Sequence, residues 1–304
     1  MENKIIVQIS AWRDPFIINT IKSAYATASE KDRVVFGCVF QGYEEDRWMI
    51  NDIYNLGPEV RLTWIDANTA PLSLTKIRGE VAMTMVQDED YFLQVDSHTK
   101  FADNWDADFI RELDEANANF GKSIIGGYIP TTFTDWDGEF RGSTWTAEPD
   151  EEWFEIYGGP IMGKQITKQN VQTIERFVCA GHLFGKTQFL YDVPQANNIL
   201  FKYEQPMMML RAYTGGYNII GSAGCYLIGY DYKHADPDSY IKYSRYKDPK
   251  WQQAWGQKEQ EDHEYFKSIF INKIYDPING ALTERSIEEY IEFAGYDPVT
   301  CKLI

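Results

Sequence analysis

Strand-like and helix-like segments alternate over the first 130 residues, and this order leaves few folds open. Lys4 to Ser10 alternates and is β-branched, which reads as a first strand. Asp14-Pro15 marks a helix start, with Asp14 as N-cap and Pro15 at the first helical position. Ile17, Ile21, Ala24 and Ala28 then recur at helical spacing, so that helix packs on a sheet. Arg33 to Phe40 and Val60 to Ile65 read as the second and third strands. A helix from about Ser73 to Gln87 carries Leu74, Ile77, Val81 and Met85 on one face, and Tyr91 to Val95 is the fourth strand. Trp105, Phe109, Ile110 and Leu113 line another helix before Lys122 to Ile129 returns to strand. Such alternation requires right-handed crossovers and predicts an α/β fold with a mostly parallel central sheet flanked by helices.

After Pro130 the pattern loosens. Thr131 to Gly163, rich in Gly, Trp, Asp and Glu, reads as a long functional loop or a pair of hairpins. Order returns at Arg176 to Phe184, then in a helix from Glu204 ending at a Gly215-Gly216 C-cap, and in a strand from Ile219 to Ile228. Beyond Asp231 two helical patterns stand out, near residues 257–270 and 284–294. No repeat or low-complexity linker divides the chain. The expected organisation is a catalytic domain over 1–230 and a carboxyl-terminal extension over 231–304 that packs on it.

The 304 residues suffice for a substantial core, and 44% hydrophobic with 25% charged residues is the balance of a globular protein. A net charge of -17 argues against general affinity for a nucleic-acid backbone while leaving room for one local basic groove. No apolar run approaches the ~18 residues of a membrane span. The first residues lack the layout of a signal peptide, and Cys38, Cys179, Cys225 and Cys301 form no metal-type pair. A cytoplasmic protein with free thiols and no membrane partner is expected.

The chemistry concentrates where the fourth strand ends, at Tyr91-Phe92-Leu93-Gln94-Val95-Asp96-Ser97-His98. Ligands of open α/β sheets sit outside the carboxyl ends of strands. A carboxylate and an imidazole two residues apart at such a point are a handle for a hard divalent cation on the diphosphate of a sugar nucleotide. A capping Asp followed by a surface His would look the same. Asp14 reads as a cap rather than a ligand, and His182 equally as a packed histidine or an acceptor contact. His263 is assigned nothing.

Several segments, read in order, resemble the GlcNAc-transferase family whose eukaryotic members modify hydroxyproline on a cytoplasmic protein. They are Ile9-Ser10-Ala11-Trp12-Arg13-Asp14-Pro15, Phe36-Gly37-Cys38-Val39-Phe40-Gln41, Arg78 in its helix, Phe92 through Phe101 followed by Asn104-Trp105-Asp106, Arg176 through Gly181, and Glu204 to Tyr217. The resemblance implies a GT-A type, Rossmann-like fold, a UDP-sugar donor, Mn2+ or Mg2+, and retention of anomeric configuration. By matching position, Asp96 and His98 would carry the metal, Ser10 and Arg13 would lie against the nucleotide, and Arg78 would face the diphosphate or donor sugar. Two positions depart from the family pattern. Its Glu-Glu pair is Glu204-Gln205 here, and its third metal-binding His, near Gly229, is replaced at best by His234.

On this reading Asp96, Glu204 and Arg78 form the catalytic set, and Ser10, Arg13, Arg78 and Lys233 bind the nucleotide. Asp96, His98 and His234 hold the metal. The acceptor is a hydroxyl, either of a protein (hydroxyproline, Ser or Thr) or of a 5-hydroxymethylpyrimidine such as 5-hydroxymethylcytosine in DNA, with glycans and small molecules ranked behind these two. The second option fits a viral enzyme acting in the host cytoplasm. It draws on Tyr240 to Trp251, where Lys242, Arg245, Lys247 and Lys250 interleave with aromatic rings as in a nucleic-acid channel. A lid over the UDP phosphates would attract the same residues. The rival from another class is a non-catalytic binder of nucleotide sugars.

Overall fold

A computed structural model of the chain describes residues 3–69, 74–129, 132–167 and 170–304. Its first half contains β1 (Ile5–Trp12), α1 (Ile17–Thr27), β2 (Val34–Gly42), α2 (Trp48–Tyr54), β3 (Val60–Asp66) and α3 (Leu74–Met85). There follow β4 (Tyr91–Asp96), β5 (Thr99–Phe101), α4 (Trp105–Phe120) and β6 (Ser123–Gly126). Ser73 and the side chains of Leu74 and Val81 lie outside what is described. The large sheet has eight strands in the order Thr173–Ile174, Asn218–Gly221, β6, His182–Lys186, β4, β1, β2, β3. β3, β2, β1 and β4 run parallel, as do β6 and Asn218–Gly221; His182–Lys186 lies antiparallel between β4 and β6. The mostly parallel α/β sheet expected from the alternation is what forms.

Strand β1 shows why the sheet is covered on both faces. Ile5, Val7, Ile9 and Ala11 point into one core cluster with Ile17 and Ile21 of α1 and Phe109 and Leu113 of α4. Ile6 points the other way, into a cluster with Ile77 of α3, Met208 and Leu210 of the helix Glu204–Thr214, and Phe266 and Tyr290 near the carboxyl end. Alternation along a central strand thus requires helices on both sides. The chain runs outward from β1 through β2 to β3, then crosses back to β4 on the other flank. The sheet therefore switches direction between β1 and β4, which opens a crevice at their carboxyl ends.

Three expectations need correction. Asp14 does not cap α1: the helix starts at Ile17 behind Phe16, without a side-chain cap. Ile219 to Ile228 is two strands, Asn218–Gly221 in the large sheet and Leu227–Tyr230 in a small one with β5 and Thr132–Phe133. The break is held by buried Glu112 of α4, which accepts from Ser222 Oγ (2.7 Å), the Ala223 and Gly224 amides (2.9 and 3.0 Å) and the Tyr226 hydroxyl (2.7 Å). An alternating apolar pattern cannot reveal a distant carboxylate that collects backbone amides. Third, the stretch read as a long loop or a pair of hairpins contains the helix Glu151–Tyr157, bracketed by the antiparallel strands Trp145–Glu148 and Lys164–Thr167.

Beyond residue 231 the helix Pro237–Tyr243, a short turn Arg245–Lys247 and the 24-residue helix Pro249–Asn272 follow one another. Asp236 and Asp248 cap the two helices, each with Pro at the helix start. This segment lies across the ends of the first strands: Arg13 Nη1 donates to Lys242 O, the Tyr43 hydroxyl to Asp248 (3.1 Å), and the Trp251 ring meets Trp12 edge-on at 5.4 Å. The four cysteines are free, and no described helix is long and apolar enough to cross a membrane.

The loop after α1 is anchored by the buried pair Arg33–Asp106 at 2.8 Å. Burial pushes the Asp106 carboxyl up, but the Ser29 and Glu30 amides, the Ser29 hydroxyl and Arg33 overcome it and hold the group below its ordinary value. Asp106→Asn strands Arg33 and should cost about 3 kcal/mol in urea unfolding at pH 7. A depressed folded value means that this stabilisation is fully present above the unfolded carboxyl's value of about 3.9. The gap between wild type and variant should therefore hold from pH 7 to about 4 and close below it; a pH-independent gap would contradict the pairing.

Candidate active site

Strand β4 delivers Asp96 beside Ser10 of β1, in register across the switch point. The turn Ser97-His98 into β5 is pinned by Thr20 of α1, whose hydroxyl donates to Ser97 O (2.8 Å) and accepts from the Thr99 amide (2.9 Å). Asp14 completes the turn. It is buried, its Oδ1 accepts from the Phe16 amide (2.9 Å), and its Oδ2 faces Ser97 Oγ (2.7 Å) and His98 Nδ1 (2.8 Å). Burial opposes the charge on Asp14, but His98, Ser97 and the Phe16 amide hold its carboxyl below the ordinary range. Burial likewise works against an imidazolium at His98, and the bond to Asp14 reverses this and raises it. With Nδ1 committed to a carboxylate, Nε2 is the nitrogen that His98 can offer a ligand.

Arg78 of α3 is buried and spans two carboxylates. Its Nη1 donates to Glu204 Oε1 (2.8 Å) and Ala180 O (3.0 Å), and its Nη2 to Asp96 Oδ1 (3.0 Å). Glu204 opens the helix Glu204–Thr214; burial and then Asp96 push its carboxyl up, while Arg78 pulls against them. The Asp96 side chain is 41% exposed, so this carboxylate opens to the cleft. Gly181 stands behind it: a Cβ there would come within 2.4 Å of Asp96 Oδ2, so only glycine leaves the carboxylate where it is.

These groups line one cleft of about 210 Å³, whose other walls include Trp12, Gln205, Tyr232 and Arg245. Tyr232 packs against the His98 ring at 5.3 Å. The Arg245 guanidinium lies over Phe201 and Trp251 at 4.8 and 5.5 Å. Four buried polar atoms on cleft-lining residues find no partner among the described residues: Trp12 Nε1, Arg78 Nε, Gln205 Oε1 and Arg245 Nη1. Three of them are donors on groups that cannot accept. Buried polar atoms are ordinarily satisfied, so the cleft is built for an electron-rich ligand.

Asp96, His98, Arg78 and Glu204 are thus brought together. Ser10 sits next to Asp96 but opens into a small recess with Gln8, Gln94 and Arg78 rather than into the cleft. Arg13 turns away in a left-handed conformation (φ 57°), donates to Asp46 (2.7 Å) and Glu45 (3.2 Å), and stacks on Tyr43. Lys233 is exposed, and the His234 side chain is 70% exposed and paired with Asp231 at 2.7 Å. Neither lines the cleft. His182 is buried against Phe109, and His263 bonds the Tyr203 hydroxyl. Asp14, Gly181 and Arg245 were assigned no place in the site by sequence. Only Arg245 carried a signal, as part of the one basic stretch in an acidic chain.

Among the described residues no three acidic, His or Cys side chains converge as a metal cage. Asp96 Oδ2 and His98 Nε2 suit a different arrangement. A hard cation that keeps its waters and arrives on phosphate oxygens needs only one or two protein ligands. The donor set fits a cation of that kind.

The Arg78 bridge can be tested alone. Arg78→Met leaves the buried Glu204 without a counter-charge and should lower stability by roughly 3 kcal/mol. Adding Glu204→Gln should restore more than half of it in urea unfolding; equal losses in the single and double variants would contradict the bridge.

A family model described as glycosyltransferase (GlcNAc) matches residues 78–300. No curated protein sequence matches the chain. Among solved structures, the crystal structure of GalNAc-T7 with UDP, GalNAc and Mn2+ superposes with a TM-score of 0.55 at 11% identity. The match covers 98% of this chain and 55% of that one, so the chain spans about half the length of that protein, and the likeness is one of fold. The large mostly parallel sheet with its flanking helices is therefore a GT-A-like architecture. With the family model covering most of its length, the chain belongs to the glycosyltransferase (GlcNAc) family.

Proposed function

We propose that the chain transfers a sugar from a UDP-sugar to a hydroxyl acceptor, with a divalent cation held by Asp96 and His98. The observation that carries this reading is one cleft in which Asp96, His98, Arg78 and Glu204 share the lining with Trp12 and Arg245, whose Nε1 and Nη1 have no partner among the described residues. A diphosphate bound in the cleft would be held by the Arg245 guanidinium and by a cation on Asp96 and His98. Asp96 and His98 would hold the cation, Mn2+ or Mg2+, which when bound would supply Lewis-acid chemistry to the departing diphosphate. The bond from the anomeric carbon to the diphosphate oxygen breaks with its electron pair on the diphosphate. The acceptor oxygen bonds to the same carbon on the face the diphosphate leaves, which retains the anomeric configuration, and its proton passes to the departing phosphate oxygen, so no strong base is required.

Each residue has a task in this reading. Asp14 fixes the tautomer and orientation of His98. Arg78 ties Asp96 to the sheet and keeps Glu204 beside it. The neutral Gln205 Oε1, where the resembling family has a second Glu, accepts a hydrogen bond from a hydroxyl. The basic-aromatic stretch is spent on the cleft wall. Arg245 reaches the cleft, while the exposed Lys242 and Lys247 lie over Tyr243 (4.7 Å) and Tyr240 (5.8 Å). That distribution favours a wall over the diphosphate rather than a polynucleotide channel.

Asp96→Ala should abolish UDP release with Mn2+ present while leaving the unfolding midpoint within reach of wild type. Asp14→Asn should weaken Mn2+ affinity by about 10- to 100-fold, the usual cost of losing a group that orients a metal-bound imidazole. Arg245→Ala should weaken UDP binding at least tenfold in calorimetry, whereas Lys242→Ala with Lys247→Ala should leave it unchanged. Wild-type turnover in Asp96→Ala, or loss of binding only in the lysine pair, would overturn the assignment.

A further inference from the structure

Beyond Arg245 lies a second hollow of about 250 Å³. Arg245 and Tyr246 border both spaces, and the far wall is Trp251, Gln252, Trp255 and Gly256 of the helix Pro249–Asn272. The rings are splayed rather than collapsed on one another: Tyr246 and Trp255 meet at 57° with centroids 5.6 Å apart, and Trp251 and Trp255 at 50° and 6.2 Å. Trp255 and Tyr246 retain solvent access, whereas Trp251 is 1% exposed. Trp251 Nε1, like Arg245 Nη1, is buried with no partner among the described residues. Both groups donate only. The Gln252 amide donates to Tyr246 O (3.0 Å), which leaves its oxygen available as an acceptor.

The solvent-accessible rings of Tyr246 and Trp255, with the Gln252 amide oxygen beside them, match a particular ligand chemistry. A pyranose ring presents C–H faces that pack on aromatic rings and hydroxyls that both donate and accept. The volume falls below the roughly 300 Å³ at which pockets for larger ligands begin, which suits a single ring. A polynucleotide is disfavoured by the net charge of -17. We propose that this hollow is the acceptor subsite and that it takes a hexopyranose ring of a saccharide acceptor. The proposal rests on the reading of the adjoining cleft as the donor site, since Arg245 and Tyr246 join the two.

The test exploits Gly256, where a Cβ would meet no atom within 4 Å. Gly256→Leu narrows the hollow and replaces glycine by a better helix former, so the variant should fold. Saturation-transfer NMR is run on wild type, Gly256→Leu and Trp255→Ala with methyl glycosides of the common hexoses, a Ser/Thr/Pro peptide and uridine. UDP binding with Mn2+ is measured in parallel by calorimetry. The expected result is glycoside binding by wild type that is at least tenfold weaker in both variants, with UDP affinity within twofold of wild type. Absence of binding by every glycoside, or glycoside binding untouched by Gly256→Leu, would overturn the proposal. Binding of the peptide or uridine instead, blocked by Gly256→Leu, would also overturn it and assign the hollow to that class. Glycoside binding blocked by Gly256→Leu in a protein that does not bind UDP would support the saccharide hollow while removing the donor reading of the cleft.

Discussion

The site depends on one buried guanidinium. Arg78 joins a helix to the end of the fourth strand through Asp96 and to the start of a later helix through Glu204. Without it, two carboxylates would face each other in a confined space, and burial would drive at least the deeper one to its neutral form. With it, Asp96 keeps a fixed orientation while its other oxygen opens to the cleft. A buried ion network of this kind adds little net stability, and its value lies in position.

The same logic recurs around it. Asp14 orients His98, Asp106 anchors the loop after the first helix, and Glu112 gathers the backbone where one apolar run must leave the large sheet. Each is a buried carboxylate that satisfies several donors at once. These groups place the small sheet and the turn that carries Asp96 and His98. The apolar core sets the layers, and the buried charges set the angles between their ends.

How much of this was legible follows from range. The alternation of β-branched strands with amphipathic helices is local, and it located the first four strands, the helices after the first and third of them and the Asp-Ser-His turn to within a few residues, while the short helix Trp48–Tyr54 between the second and third went unread. Asp14 was misread because Asp-Pro ahead of an apolar helical pattern is also how a helix cap looks. Its actual partner is 84 residues away. Arg13 looked available because sequence does not show that Glu45 and Asp46 stand beside it. His234 drew attention by its residue type, yet its one bond is to Asp231 on the same turn. Arg245 was hidden within a basic stretch in which Lys242 and Lys247 face solvent and Lys250 bonds Ala67 O, and only the fold of residues 237–249 decides which cation turns into the cleft.

The central claim is that Asp96 and His98 share a cation that arrives with a nucleoside diphosphate. Pulsed electron paramagnetic resonance of the protein with Mn2+ and UDP tests it most directly, because a coordinated imidazole couples its nitrogen to the manganese spin. The expected spectrum shows coupling to one histidine nitrogen that disappears in His98→Gln. A nitrogen coupling that survives in His98→Gln, or none at all in the wild-type complex, would contradict the account.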